Sequence, residues 1–212
     1  LLALLQKNCA TNLFNFSKKF INKNNAILDL GSGTSFIAKN IVLENNNQKI
    51  FEVDLSKKML QNWQERPIKS SAIAGDINNL PFKNQQIFDI IVLMGGHQSI
   101  YDPKDQAFFK PYLNLVENSL AISGKKVLGI CLGSQILAKV LGANVEKGQS
   151  GLEVGFSKVS IINSAHPIFQ GITSSHLTAF HLHGDTFNLP QGTERLMASD
   201  KYENQMFTYK NK

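Results

Sequence analysis

The sequence lacks the features that mark membrane-spanning, disulfide-linked and repeat proteins. No run approaches the roughly 18 apolar residues of a membrane span. The apolar start, LLALLQKNCATNLFNF, has neither a basic leader nor a small-residue cleavage site, so it is predicted to be an amphipathic helix. The two cysteines, Cys9 and Cys131, lie far apart in different contexts, which argues against a disulfide framework and predicts a reducing, cytoplasmic compartment.

Charge of either sign is also not concentrated in any one segment. The 212 residues carry a formal net charge of +6, and the sequence pI is near 9.3. Because the lysines are scattered as short pairs, a solvated surface explains this charge better than a nucleic-acid-binding patch. We therefore expect a small-molecule substrate, with no membrane or nucleic-acid partner. The oligomeric state is left open.

Short apolar runs alternate with helical patterns through the first two thirds of the chain. This succession predicts an α/β fold with a doubly wound, mostly parallel, Rossmann-like sheet. The predicted strands are AILDL (26–30), KIFEVDL (49–55), SAIAGD (71–76), FDIIVLM (88–94) and KKVLGIC (125–131), and the predicted helices are 35–44, 57–65 and 107–121. After Gly142 the runs are shorter, which predicts a more irregular, partly antiparallel C-terminal part.

A glycine turn and two acidic strand ends indicate a nucleotide-type pocket. In ILDLGSGTSF, Gly31 and Gly33 allow a tight turn and the close approach of a ligand, and the following helix start offers free N–H groups. Asp54 and Asp76 end the next two predicted strands. These groups should share the carboxyl edge of the sheet, where open α/β sheets bind ligands. A Rossmann-like half without a ligand is the alternative.

Residues 1 to about 92 resemble the class I S-adenosylmethionine-dependent methyltransferases, and the pattern is close to the carrier-protein methyltransferase of biotin synthesis. The resemblance implies S-adenosylmethionine as cofactor. The residues it assigns to this cofactor are Gly31 and Gly33 near the methionyl part, Asp54 on the ribose, Asp76 and Ile77 beside the adenine, and Asp29 in the glycine motif itself. Ser35 departs from the pattern, since that family usually has a third glycine there.

A second site is predicted in KKVLGICLGSQILAKVLGANV (125–145), where a strand stops at a cysteine and a helix follows. Gly129 and Gly133 are the small flanking residues that a nucleophile elbow needs, because the nucleophile has a strained backbone. The elbow would expose the Cys131 thiol at the sheet edge, and the helix N-terminus would lower its pKa. A buried, inert cysteine is the alternative.

From Phe88 onward the chain resembles the class I glutamine amidotransferases related to GMP synthetase. The matching segments are FDIIVLMGGHQSIYD, KKVLGICLGSQILAKVLGANV, LEVGFSKV and HLHGDTFNLP. The resemblance implies glutamine hydrolysis through a cysteine nucleophile. Its site residues are Cys131 as nucleophile, Gly95, Gly96 and Leu132 as the oxyanion hole, Gln135 as a substrate contact, and His183 in a structural, substrate-side loop.

The catalytic histidine and glutamate of that family do not occur in this sequence. In the family they lie in a Gln-Phe-His-Pro-Glu segment, whereas this sequence ends at QMFTYKNK, where the preceding strand would begin. We therefore expect an incomplete triad and doubtful activity. His181 and His183 are the remaining candidate bases. No metal site is predicted.

Two segments are predicted, a methyltransferase-like half at 1–92 and an amidotransferase-like segment at 93–212. They would merge in one sheet of strand order 3-2-1-4-5, with KKVLGIC as the fifth strand. Three functions stay open: an amidotransferase-like protein, a methyltransferase half that binds S-adenosylmethionine, and an inactive fusion or fragment.

Overall fold

The computed structural model describes residues 18, 21–22, 24–33, 35–44, 47–61, 70–82 and 87–209. The predicted N-terminal amphipathic helix and Cys9 lie outside these residues. None of the described helices is both long enough and apolar enough to cross a membrane.

A five-stranded parallel sheet carries the first part of the chain. Its strands are β1 (Ala26–Leu30), β2 (Lys49–Asp54), β3 (Ser71–Ala74), β4 (Ile90–Leu93) and β5 (Lys126–Gly129). They lie in the order β3-β2-β1-β4-β5, and every neighbouring pair is parallel. The predicted α/β class and strand order are confirmed. The division of the chain at residue 92 falls inside this sheet and stays a prediction.

Helices cover both faces of the sheet, as expected for strands that are continuous apolar runs. The described helices are α1 (Phe36–Glu44), α2 (Lys57–Gln61), α3 (Gln106–Ala121) and α4 (Leu132–Val140). Because side chains alternate along a strand, Leu28 of β1 packs with Val116 of α3 and Ile136 of α4, whereas its neighbour Ile27 packs with Ile41 of α1. The sheet is therefore buried on both sides, and its carboxyl edge is left for the loops.

The C-terminal part is antiparallel, as predicted. Its strands are β6 (Val145–Lys147), β7 (Glu153–Ile161), β8 (His176–His183), β9 (Asp185–Phe187), β10 (Thr193–Ala198) and β11 (Met206–Tyr209). Four of them form a sheet of order β11-β10-β7-β8, and β6 pairs with β9. The β6–β9 pairing joins the segment that follows α4 to the segment that follows β8. Both segments therefore lie near the turn between β5 and α4.

Candidate functional site

Cys131 occupies a strained turn between β5 and α4. Its backbone angles are φ 53° and ψ −112°, and it is the residue directly before the first turn of α4. An L residue other than glycine rarely adopts a positive φ, and such strain persists where the surrounding structure imposes it. The side chain is exposed. The turn thus has the geometry of a nucleophile elbow, and the thiol is accessible.

Two glycines make this turn sterically feasible. A Cβ added to Gly133 would lie 2.2 Å from the carbonyl oxygen of Leu93, and one added to Gly129 would lie 2.4 Å from the carbonyl oxygen of Gly133. The start of α4 is therefore packed backbone to backbone against the ends of β4 and β5. This close approach holds the thiol at the edge of the sheet.

The loop that follows β4 runs beside the thiol. A Cβ added to Gly95 would lie 3.8 Å from the Sγ atom of Cys131, and one added to Gly96 would lie 2.7 Å from Cδ2 of Leu132. The structure therefore brings Gly95, Gly96 and Leu132 together around Cys131. Their role as oxyanion donors stays a prediction.

The pKa of the Cys131 thiol is raised, so the expected lowering is wrong. Desolvation raises the pKa most, the backbone N–H of Leu132 lowers it, and the negative charge of Asp185 raises it further. The Asp185 carboxylate is held by hydrogen bonds from Ser99 Oγ at 3.0 Å and from Tyr101 OH at 2.9 Å. The lowering of the thiol pKa by the N–H at the helix N-terminus is therefore smaller than the combined raising by desolvation and by the Asp185 carboxylate of β9.

Gln135 lies in the first turn of α4, just beyond the thiol. Its side chain is only 6% exposed. Within the described part of the chain, its Oε1 atom accepts no hydrogen bond. Buried polar atoms are nearly always paired, so the unpaired amide oxygen of Gln135 is an unusual feature of this helix.

The two candidate bases, His181 and His183, are directed at Glu153. His181 Nδ1 lies 3.3 Å and His183 Nε2 lies 2.9 Å from the same carboxylate oxygen, Glu153 Oε2. The same carboxylate accepts hydrogen bonds from Gln205 Nε2 at 2.7 Å and from Ser199 Oγ at 2.8 Å. Burial is the largest cause that lowers the pKa of His181. Both rings are therefore engaged in a network of their own.

Sequence reasoning missed this cluster, because its signal is divided between two strands. The histidines of HLH are two residues apart, so both side chains lie on one face of β8. Glu153 is the register partner of His183 on β7. The spacing is visible in the sequence, but the register that brings Glu153 opposite is not.

The glycine turn after β1 forms the other predicted site. Gly31 and Gly33 have positive φ values of 75° and 55°. The Asp54 carboxylate accepts hydrogen bonds from the N–H groups of Gly33 and Ser56, each at 2.8 Å. Ser35, where the methyltransferases usually have glycine, has a φ of 60°. A glycine would fit this conformation with less strain.

Asp29 lies at the same edge, near the end of β1. Its side chain is 1% exposed, and neither carboxylate oxygen has a hydrogen-bond partner among the described residues. Burial, with the charges of Glu52 and Asp54, raises the pKa of Asp29 from 3.8 to about 8. Asp76 and the buried Ile77 follow β3. Because all five strands are parallel, the predicted cofactor residues and the thiol share the carboxyl edge of one sheet.

Comparisons with known proteins match most of the chain. The family model for Glutamine amidotransferase class-I matches residues 40–212. One of the subunits of the glutamine-hydrolyzing GMP synthase of Sulfolobus acidocaldarius is 33% identical over 54% of this chain and 56% of its own length. Gamma-glutamyl peptidase 5 of Arabidopsis thaliana is 34% identical over 41% of this chain and 36% of its own length. The chain thus spans about a third to just over half of these curated relatives.

A solved structure of a glutamine amidotransferase from Thermotoga maritima has a similar fold. It superposes with a TM-score of 0.63 at 31% identity, covering 77% of this chain and 72% of that one. The family match begins at residue 40, inside the segment that resembles methyltransferases. The methyltransferase resemblance of residues 1–92 stays a prediction.

Proposed function

Because this chain belongs to the class I glutamine amidotransferase family, we propose that it binds glutamine at the elbow and presents Cys131 to the side-chain carboxamide. The observation that carries this proposal is the positive φ of 53° at an accessible cysteine. A buried structural cysteine would not need a strained backbone, whereas a nucleophile that must project from the sheet edge does.

The proposed reaction is an acyl transfer to sulfur. The thiolate sulfur bonds to the carbonyl carbon, and the carbonyl oxygen becomes an oxyanion. The N–H of Leu132 and those of Gly95 and Gly96 would stabilise that oxyanion. The C–N bond then breaks, the nitrogen leaves as ammonia after gaining a proton, and a thioester remains. Water hydrolyses the thioester to glutamate and regenerates the thiol of Cys131.

Two polar groups near the thiol suit the rest of the substrate. The unpaired Oε1 of Gln135 can accept a hydrogen bond from an N–H group of glutamine. Asp185 lies close enough for its charge to raise the thiol pKa, so it can attract the α-ammonium group. His183 Nδ1 lies 3.2 Å from the backbone oxygen of Asp185 and so acts as a positioning residue.

The general base is the component that these residues do not supply. Desolvation raises the pKa of the Cys131 thiol and so disfavours the thiolate. His181 and His183 are both directed at Glu153. We therefore infer that full turnover needs a base of the kind the family carries in its Gln-Phe-His-Pro-Glu segment. The 212 residues alone should bind glutamine and react with electrophiles, but release ammonia slowly.

Labelling with a glutamine-shaped chloroketone tests the proposal. The reagent should alkylate Cys131, and L-glutamine at millimolar concentration should slow this reaction while D-glutamine should not. Cys131→Ala is the control, because it should lose the labelling that L-glutamine slows. Peptide mass spectrometry assigns each site. Equal labelling of Cys131 with and without L-glutamine would refute glutamine binding.

The same assay distinguishes two substrate classes. One relative is named a gamma-glutamyl peptidase, and γ-glutamyl peptides present the same γ-carbonyl group as glutamine. If a γ-glutamyl dipeptide protects Cys131 better than L-glutamine does, the site is built for an extended γ-glutamyl amide. We expect glutamine to protect better, in line with the family.

A second candidate function is the binding of an adenosyl ligand, S-adenosylmethionine, at the glycine turn. The buried carboxyl group of Asp29 favours it, because this group has no hydrogen-bond partner among the described residues and a polar group of the ligand would supply one. Gly31 and Gly33 would approach the ligand, and Asp54 would meet the ribose. Calorimetric titration with S-adenosylhomocysteine should give a binding isotherm that Asp54→Asn weakens. No heat at millimolar ligand would eliminate this function.

A further inference from the structure

We propose that Glu153, His181 and His183 form a binding site for a divalent transition-metal ion of the zinc type. These residues come from two neighbouring antiparallel strands, β7 and β8. Their donor atoms lie within 4.8 Å of one another. The site touches the proposed acyl transfer only through His183, whose Nδ1 lies 3.2 Å from the backbone oxygen of Asp185.

The spacing of the donor atoms fits tetrahedral zinc. Glu153 Oε2, His181 Nδ1 and His183 Nε2 form a triangle with edges of 3.3, 2.9 and 3.4 Å. A tetrahedral zinc ion with bonds of about 2.0–2.1 Å separates its ligand atoms by about 3.3 Å. The triangle is therefore close to one face of such a tetrahedron. An ion placed slightly out of its plane reaches all three atoms with almost no side-chain movement.

The proton positions also favour a cation in this triangle. His183 Nδ1 lies 3.2 Å from the backbone oxygen of Asp185. A carbonyl oxygen can only accept, so Nδ1 carries a proton, and Nε2 is the ring atom that faces Glu153 Oε2. Two lone pairs 2.9 Å apart repel each other unless a positive charge lies between them. Either a second proton or a metal ion must supply that charge.

The contacts around His183 and Glu153 are of the kind that orient metal ligands, whereas Nε2 of His181 is buried without a hydrogen-bond partner among the described residues. Metal-binding histidines commonly donate their second ring N–H to a backbone carbonyl, as His183 does to Asp185. The carboxylate of Glu153 is fixed by Ser199 Oγ at 2.8 Å and by Gln205 Nε2 at 2.7 Å. Two imidazoles and one carboxylate are a known donor set for zinc.

The burial of Glu153 and His181 favours a bound metal ion over a carboxylate that is paired only with histidine. Glu153 is 6% exposed and His181 is 5% exposed. A buried carboxylate is unfavourable unless its charge is compensated. A dication would compensate it and join β7 and β8 to the segment that carries Ser199 and Gln205. We therefore expect the ion to stabilise this part of the fold.

Cobalt titration of the full chain, after treatment with a chelator, tests the site. Co²⁺ should bind with one equivalent per chain and give the visible absorption of a tetrahedral N/O site, and Zn²⁺ should displace it. The same spectrum should persist in Cys131→Ala, which excludes a thiolate site. Failure of the parent chain to bind one equivalent of Co²⁺ would overturn the proposal. A proton would then be the positive charge between the histidines and Glu153.

Variants locate the ion. His183→Gln and Glu153→Gln should each weaken Co²⁺ binding by more than about 10-fold. His176→Gln is the matched control, because His176 lies at the opposite end of the same strand and its Nδ1 atom lies 3.4 Å from Ser175 Oγ. Unchanged affinity in both ligand variants would refute the site. If those variants do not fold, the melting temperature tests the site instead. Zn²⁺ should raise it in the parent chain and in His176→Gln, and the absence of a rise would refute the metal site.

Discussion

Replacing Asp29 with asparagine should stabilise the protein, and the gain should grow as the pH rises. The buried carboxyl group has no hydrogen-bond partner among the described residues, and burial raises its pKa from 3.8 to about 8. Between these two values the folded chain holds a proton that the unfolded chain has released. Because the folded state then binds more protons, this group makes stability fall with increasing pH.

The size of the effect follows from the two pKa values. Each unit of difference corresponds to about 1.4 kcal/mol, so Asp29 destabilises the fold by at most about 6 kcal/mol above pH 8. Below pH 4 both states are protonated and the group contributes nothing. Between pH 5 and pH 8 the stability of Asp29→Asn relative to the parent chain should therefore grow by about 4 kcal/mol. The buried amide of asparagine adds an offset that is the same at every pH.

Urea unfolding of both chains at pH 5, 6, 7 and 8 measures this difference directly. Asp200→Asn is the control, because Asp200 is an exposed carboxylate in the turn after β10. A flat difference between Asp29→Asn and the parent chain would show that Asp29 is ionised at neutral pH and has a cationic partner. A difference that decreases with pH would refute the reasoning altogether.

Three further predictions concern the elbow. Cys131→Gly should be more stable in urea than Cys131→Ala by about 1–3 kcal/mol, because glycine tolerates the φ of 53°, and equal stabilities would argue against strain. Gly133→Ala should lower the free energy of unfolding by at least about 1–3 kcal/mol, because its Cβ would lie 2.2 Å from a backbone oxygen. Gly75→Ala is the control and should be nearly neutral, because its Cβ would meet its nearest atom at 3.7 Å. Asp185→Asn should lower the thiol pKa, so that the rate of Cys131 alkylation by iodoacetamide rises at a lower pH. An unchanged profile would mean that desolvation alone sets the pKa.

Local sequence was sufficient where local packing decides the structure. The run AILDL became β1 with the predicted bounds, because a strand buried on both faces is mainly apolar, and Asp29 is the one polar residue of this run. The elbow was also foreseen, since Gly129 and Gly133 are required by contacts within a few residues and with the adjacent strand. These features depend on neighbours that the chain itself places next to each other.

Features that depend on distant partners could not be predicted in the same way. Strand β6 has only three residues, and its pairing with β9 is what defines it. Desolvation is the largest cause of the raised thiol pKa, and Asp185, which adds to it, lies on β9, the strand that pairs with β6. Glu153 meets His181 and His183 only in the observed register of β7 and β8. In each case the sequence does not reveal which strands pair and in which register.

Several energetically unfavourable residues among the described ones lie at the carboxyl edge of the parallel sheet. Cys131 and Ser35 have positive φ values, and Asp29 and Gln135 have buried polar atoms that lack partners within the described residues. Each would be relieved by a simple substitution, so stability alone does not account for them. Strained and unpaired groups that share one edge of a fold are expected where ligands complete the contacts. Asp29 and Ser35 flank the glycine turn after β1, whereas Cys131 and Gln135 lie at the elbow after β5. Each site can therefore be tested while the other is left intact.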